Sequence, residues 1–376
     1  MYIYEKKNWP NFTWNKEAVN LLLQPLKYDQ GYLLGKMENL GFSIQMQAIL
    51  ETMTHEVIKT SEIEGEILNG EEVRSSIARH LGLDITGLLP ADRQVDGVVE
   101  MLLNATKKYS ERLTEQRLYQ WHAMLFQNGL SGMQIITPGI FRTDKNSPMQ
   151  VVSGYYGKEK IHFQAPDAQD ISDQITLFLN WFNGSQTSLD PIIKAAIAHV
   201  WFVTIHPFED GNGRMTRAIT EMSLARAENL ANRFYSMSTQ IRKQRKSYYE
   251  ELEKTQKGDL DITPWICWFL KCLHQAINQS DIVLLHILNK SKFWKRHAST
   301  LLNARQITML NKLFDGFSGK LTSSKWAKMM KCSQDTAARD LNNLLQLEIL
   351  IKSNVGGRST AYLLKDFPIH QLQEES

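Results

Sequence analysis

The sequence predicts a mainly α-helical protein, broken by one β-hairpin and ended by a winged helix-turn-helix. Three observations carry that expectation. Apolar residues recur at helical spacing through the first two thirds of the chain. One stretch alone holds two short β-branched and aromatic runs beside glycines, and after Asp281 the order becomes helix, helix, turn, helix, hairpin.

Taken in order, residues 42–68 read as one long amphipathic helix, with Met46, Leu50, Met53, Val57, Ile63 and Ile67 along its stripe and Gly70 after its end. Residues 71–81 continue as a second helix, closed by Gly82. Thr114 stands where a cap would start a helix running into Leu118, Trp121, Leu125 and Phe126. Residues 149–163 form the hairpin around Gly154 and Gly157, and no other alternation in the first 280 residues marks a sheet. Residues 173–182 and 191–205 are helices, the second with Pro191 in its first turn, where a missing N–H costs little. Residues 218–231 make another. Beyond Asp281, residues 307–314, 323–330 and 334–346 are helices, with a turn at Cys332 and Ser333. Residues 349–353 and 360–364 are strands around a wing at 355–358.

A chain of 376 residues, 43% hydrophobic, implies two or three domains. Charged residues at 22% and aromatics at 10% exclude a disordered chain. The net charge of +3 argues against a general nucleic-acid coat, but it is an average. From Asp281 onward there are 14 basic and 8 acidic side chains, so the remainder is faintly acidic. The expected domains are 1–100, 101–280 and 281–376. Three cysteines fit neither a disulfide framework nor a zinc site. The first residues lack the apolar core of a secretion signal, and the longest apolar run, 195–205, is too short to cross a bilayer. A cytoplasmic protein without membrane contact is expected.

The most informative stretch is His206-Pro-Phe-Glu-Asp-Gly-Asn-Gly-Arg-Met-Thr-Arg217. Gly211 and Gly213 let the backbone turn its N–H groups toward one point, and a helix start adds unpaired amides and its dipole. Arg214 and Arg217 lie three apart, on one side of that helix, where both reach an anion. Asp210 offers one carboxylate beside them, enough for a Mg²⁺ ion whose other ligands are phosphate and water. His206 supplies an imidazole able to take a proton from an attacking hydroxyl. Together these residues point to phosphoryl or nucleotidyl transfer.

The same string matches HPFx[D/E]GNGRxxR and so resembles the signature of the Fic family. That resemblance implies a Fic-type helical core with a β-hairpin flap. It implies an ATP-dependent, Mg²⁺-assisted protein adenylyltransferase, a nucleotidyltransferase that moves AMP to a hydroxyl of a target protein or of itself and releases pyrophosphate. Carried over, His206 would be the general base and Asp210 the metal ligand. ATP would lie against Glu64, His206, Gly211, Asn212, Gly213, Arg214, Met215, Thr216 and Arg217. Val151, Val152, Ser153 and Gly154 would belong to the flap on which a target docks as an added strand. Thr60, Glu64 and Gly65 resemble the family's inhibitory motif, [S/T]xxxE[G/N], in which a glutamate takes the guanidinium that the γ-phosphate needs. By itself that segment would read as solvated helix surface. The opening Trp9-Pro-Asn-Phe-Thr-Trp14 resembles a group of the family that also carries a winged helix. Arg242–Lys246 with Tyr248 and Tyr249 lie where the family's next helix closes over nucleotide.

The basic C-terminal module suits DNA through Lys325, Lys328, Lys331, Arg339 and wing residue Arg358, while Asp335 and Asp340 on the same helix count against it. Other readings of the chain are removal of AMP, transfer of another phosphate-containing group, and a DNA-binding regulator with a nucleotide-sensing core. A homodimer is compatible with the helical surfaces.

Overall fold

A computed structural model describes residues 1–376 apart from 84–87, 133, 144–147, 155–158, 185–188, 315, 316, 318, 354–359 and 366–376. The chain divides into two compact units, Met1–Val283 and Leu284–Ser376. Among the described residues there are fourteen α-helices and three two-stranded antiparallel sheets.

The first unit is built on α7 (Pro191–Ile205) and α8 (Asn212–Glu228), which pack along each other. From Ile192 to Ile205 every residue of α7 is buried except Lys194, which is partly exposed. A helix apolar on nearly all sides has to be enclosed. Its two buried polar residues find partners. The Thr204 hydroxyl donates to the Val200 carbonyl at 2.6 Å, and His199 lies between Thr220 at 2.9 Å and the Tyr248 hydroxyl at 2.8 Å. The enclosing layer comes from α4 (Arg93–Lys107), α5 (Glu115–Leu125), α6 (Ile171–Asn183) and α10 (Arg245–Gln256). Thr114 caps α5 by accepting the Arg117 N–H at 3.2 Å, as the sequence predicts.

Three further helices precede this layer in the chain: α1 (Lys16–Glu38), α2 (Phe42–Ile63) and α3 (Gly70–His80). α2 packs against α9 (Met237–Lys243) and is shorter than the expected 42–68. Gly65 stops it. The Gly65 N–H donates to the Glu62 carbonyl, the Glu66 N–H reaches back to Ser61, and φ at Gly65 is +89°, the glycine-terminated Schellman turn. Ile67 therefore lies off the helix and is 90% exposed, rather than on the apolar stripe. Gly70 opens α3 instead of following α2, with Asn69 as its cap. The N-terminal segment packs on the same body, Trp9 and Phe12 edge-on to Trp201.

The hairpin is present as β3 (Gln150–Ser153) and β4 (Lys160–Gln164), with a register shift between Val151 and Val152. Gly157 lies outside the described residues. The sequence does not foretell a smaller ribbon, β1 (Leu130–Ser131) with β2 (Gln134–Ile135), because two-residue strands leave no alternation to read.

In the second unit, α12 (Ala304–Phe314), α13 (Ser323–Met329) and α14 (Gln334–Gln346) enclose Met309, Leu313, Trp326, Leu341 and Leu344. β5 (Leu350–Lys352) and β6 (Tyr362–Leu364) pair antiparallel. Arg358 and the rest of the expected wing lie outside the described residues. Asp340 points inward: Arg305 holds it through two hydrogen bonds of 2.7 and 3.0 Å, and Asn303 adds a third. α11 (Thr263–Arg296) is the longest helix among the described residues. No helix among the described residues is long and apolar enough to cross a membrane.

Candidate functional site

α7 ends at His206, whose backbone is left-handed (φ 51°) and whose N–H still bonds the Phe202 carbonyl. The reversal turns the chain into the glycine loop. A carbonyl acceptor, Val203, stands 3.1 Å from Nδ1. The proton therefore belongs on Nδ1, and Nε2 carries the lone pair. Burial pushes the imidazole down to about 4, the Val203 bond opposing and Arg142 assisting the fall. His206 is thus neutral near pH 7, in the form that accepts a proton.

Asn212 shapes the loop. Its side-chain amide donates to the Phe208 carbonyl at 2.8 Å while its oxygen accepts the Phe208 N–H at 3.0 Å. Two backbone groups that no helix could satisfy are so paired. Phe208 is buried and stacks on His122 at 4.2 Å. His122 accepts the Gly139 N–H on Nδ1 and places Nε2 3.3 Å from the Asp210 carbonyl. Burial holds it down at about 4, so it is a neutral support.

α8 starts at Asn212, six residues before the expected start, so the glycine–arginine string is itself the helix's first turn. Gly211 precedes it with φ 78°. The N–H groups of Asn212, Gly213 and Arg214 have no carbonyl one turn back within the helix. Met215 and Thr216 turn into the core, and the Met215 N–H is already bonded to Gly211.

Arg214 and Arg217 are buried, 1% and 2% exposed at the side chain. Arg217 donates through Nε to the Thr60 hydroxyl at 2.6 Å and through Nη2 to the Thr60 carbonyl at 2.9 Å and Glu64 at 2.7 Å. Burial, the largest single influence, would lower this guanidinium; the Glu64 charge and hydrogen bond, together with Tyr248 and Tyr249, outweigh it and the net shift is upward. Arg214 donates to Glu66 at 2.6 Å, its guanidinium carbon 5.0 Å from the centre of the Phe126 ring. Among the described residues, Arg214 Nε and Arg217 Nη1 are buried without acceptors. Buried donors of this kind call for an acceptor, and a bound polyanion would provide one. Glu64 lies over the helix start so closely that a Cβ on Gly213 would stand 2.0 Å from its Oε1.

Asp210 accepts the Gly211 N–H at 2.6 Å and the Ser131 hydroxyl. Among the described residues no group of three or more His, Cys, Asp or Glu side chains is arranged to hold a metal ion. One carboxylate beside a phosphate site suits Mg²⁺, which completes its shell with phosphate oxygens and water, better than a metal held by protein alone.

The structure brings Thr60, Glu64, Gly65 and residues 206–217 into one place. The hairpin is tied to it at the root: Arg142 donates to the His206 carbonyl at 2.8 Å and also reaches the Pro166 carbonyl. Val152 is 48% exposed, and Ser153 and Gly154 are exposed beside it. Arg245 and Tyr249 do not stand free over the loop but hold the end of α2, both bonding the Ile63 carbonyl, at 2.8 and 3.4 Å. Sequence reasoning misses Glu66, His122 and Glu56; it places Arg142 only in the 137–142 segment that resembles the family's approach to the flap, with no role at the loop. Glu56 anchors α2 by accepting from the Ser236 hydroxyl and from the Ser238 N–H. Only Glu66 has a local signal, a second carboxylate directly after the glycine of the Thr60–Gly65 segment.

Residues 112–224 match the sequence model of the Fic/DOC family, and residues 2–83 match a domain of unknown function, DUF4172. The protein adenylyltransferase Fic of Drosophila mojavensis is 33% identical over 114 residues, 30% of this chain and 21% of the relative. The protein of the same name from Culex quinquefasciatus is 32% identical over 114 residues, again 30% and 21%. The chain thus spans about a fifth of the length of these curated relatives. A crystal structure of a Fic family protein from Desulfovibrio desulfuricans is similar in fold, with a TM-score of 0.54 at 20% identity over 95% of this chain and 98% of that one.

Proposed function

With residues 112–224 a Fic/DOC domain, we propose that the chain is an autoinhibited protein adenylyltransferase. The observation that carries the reading is the joint presence of His206, Asp210 and two buried arginines at one helix start, with Glu64 bonded to Arg217. The names of the curated relatives support the same reaction. In this reading residues 1–100 regulate, 101–280 catalyse and 281–376 bind a partner.

ATP lies with its phosphates on the first turn of α8, where the N–H groups and Arg214 and Arg217 receive their charge. A target hydroxyl attacks the α-phosphorus. His206 Nε2 takes its proton, the new O–P bond forms, and the bond to the β-phosphate breaks with pyrophosphate leaving. Asp210 would hold Mg²⁺, which when bound neutralises phosphate charge. The target segment adds to the open edge of the hairpin at Val151–Gly154. Glu64 opposes all this by occupying Arg217. The test uses Glu64→Gly protein with ATP labelled at either the α or the γ phosphate. Protein label from the α position alone supports AMP transfer; label from the γ position alone rejects it.

The acid limb of the pH profile follows from His206. Its depressed pKa means that the base form persists until pH falls to about 4, and loss of the Glu64 charge moves it lower still. The rate of Glu64→Gly protein is expected to stay level from pH 8 down past 6.5; a fall centred at 6.5 would count against the assignment.

A second activity for the C-terminal unit is favoured by Asp340. Its charge is consumed inside by Arg305, which leaves Arg339, Lys328 and Lys331 exposed without it. DNA binding by this face predicts retention of duplex on a filter at low salt, weakening steeply as salt rises. No retention at low salt rejects it.

A further inference from the structure

The inhibitory contact described above uses one carboxylate and one arginine. The structure holds a second pair of the same kind. Glu66 Oε2 stands 2.6 Å from Arg214 Nη1, and the Gln94 amide donates to that same oxygen at 3.2 Å. In both pairs the arginine is buried and the carboxylate is the outer partner: Glu64 is 30% exposed over Arg217 and Glu66 27% over Arg214.

The backbone explains the symmetry. Glu64 and Glu66 flank Gly65, the left-handed residue that reverses the chain at the end of α2. The Glu66 N–H is fixed on the Ser61 carbonyl and the Gly65 N–H on Glu62. One tight turn therefore presents two carboxylates, and one helix turn presents two guanidiniums at i and i+3. We propose that Glu66 is a second inhibitory carboxylate, holding Arg214 as Glu64 holds Arg217, so that ATP must displace two ion pairs from one turn.

This rests on the transferase reading. Carboxylate and phosphate oxygens compete for the same N–H donors and repel each other, so a carboxylate on Arg214 weakens nucleotide binding whatever becomes of Arg217. The opposite role is an orienting one, in which Glu66 aims Arg214 at the phosphate and its loss harms binding. The two roles differ in sign.

The experiment compares Glu64→Gly with Glu64→Gly/Glu66→Gln, following AMP incorporation against ATP concentration. Glutamine keeps the volume and the Gln94 contact while removing the charge. The double variant is expected to have a KM for ATP roughly three- to tenfold lower, with kcat unchanged. An equal KM overturns the proposal, and a higher KM overturns it in favour of the orienting role. If Glu64→Gly incorporates no AMP at all, it is the transferase reading that fails. Direct ATP binding then judges Glu66: tighter binding by the double variant supports the second carboxylate, and equal or weaker binding overturns it.

Discussion

Alanine at position 206, placed in the Glu64→Gly protein, is expected to cut AMP incorporation by roughly 10²–10⁴-fold, the usual contribution of a positioned general base. Among the described residues the side chain bonds the nearby Val203 carbonyl alone, so its removal leaves the loop's other supports intact. Those supports are the Asn212 bonds to Phe208 and the Arg142 bond to the His206 carbonyl, which alanine retains. ATP binding and the melting temperature should therefore change little while the rate collapses. A variant that still incorporates AMP at the parent rate would remove His206 from the chemistry.

The second large effect is release of the brake. Glu64→Gly is expected to raise AMP incorporation by roughly 10–100-fold, since a charge-assisted hydrogen bond is worth about 1.5–3 kcal/mol and about 1.4 kcal/mol is a factor of ten. The gain has two sources. Arg217 recovers the donor now spent on Glu64, and the carboxylate that lies against Gly213 no longer repels phosphate there. Thr60 keeps its two bonds to Arg217, so the guanidinium stays oriented when the glutamate is gone. Measured side by side under one ATP concentration, equal incorporation by wild type and Glu64→Gly would contradict the inhibitory role.

Much of the loop half of this candidate site is legible because its residues are contiguous. His206, Asp210, Arg214 and Arg217 share one loop and one helix turn, where spacing alone predicts which side chains converge. The sequence places the start of α8 six residues late because Gly211, Asn212 and Gly213 are poor helix formers, yet the first turn tolerates them. The supports leave no trace of that kind. Arg142 and His122 act through hydrogen bonds to residues 64 and 88 positions away, which no local pattern records. The end of α2 escapes the pattern for the opposite reason: apolar periodicity continues through Ile67, but a glycine with positive φ ends the helix first. That same turn aligns Glu66 with Glu64, and the inhibitory motif, which specifies a single glutamate, gives its neighbour no role.

A loop that transfers an adenylyl group under control of the turn at Gly65 should leave that group on protein. Intact-protein mass measurement of Glu64→Gly after incubation with ATP and Mg²⁺ tests this most directly. The expected result is a mass gain of one or more adenylyl groups, absent when His206→Ala is added. No gain, or gains equal to phosphate alone, would contradict it.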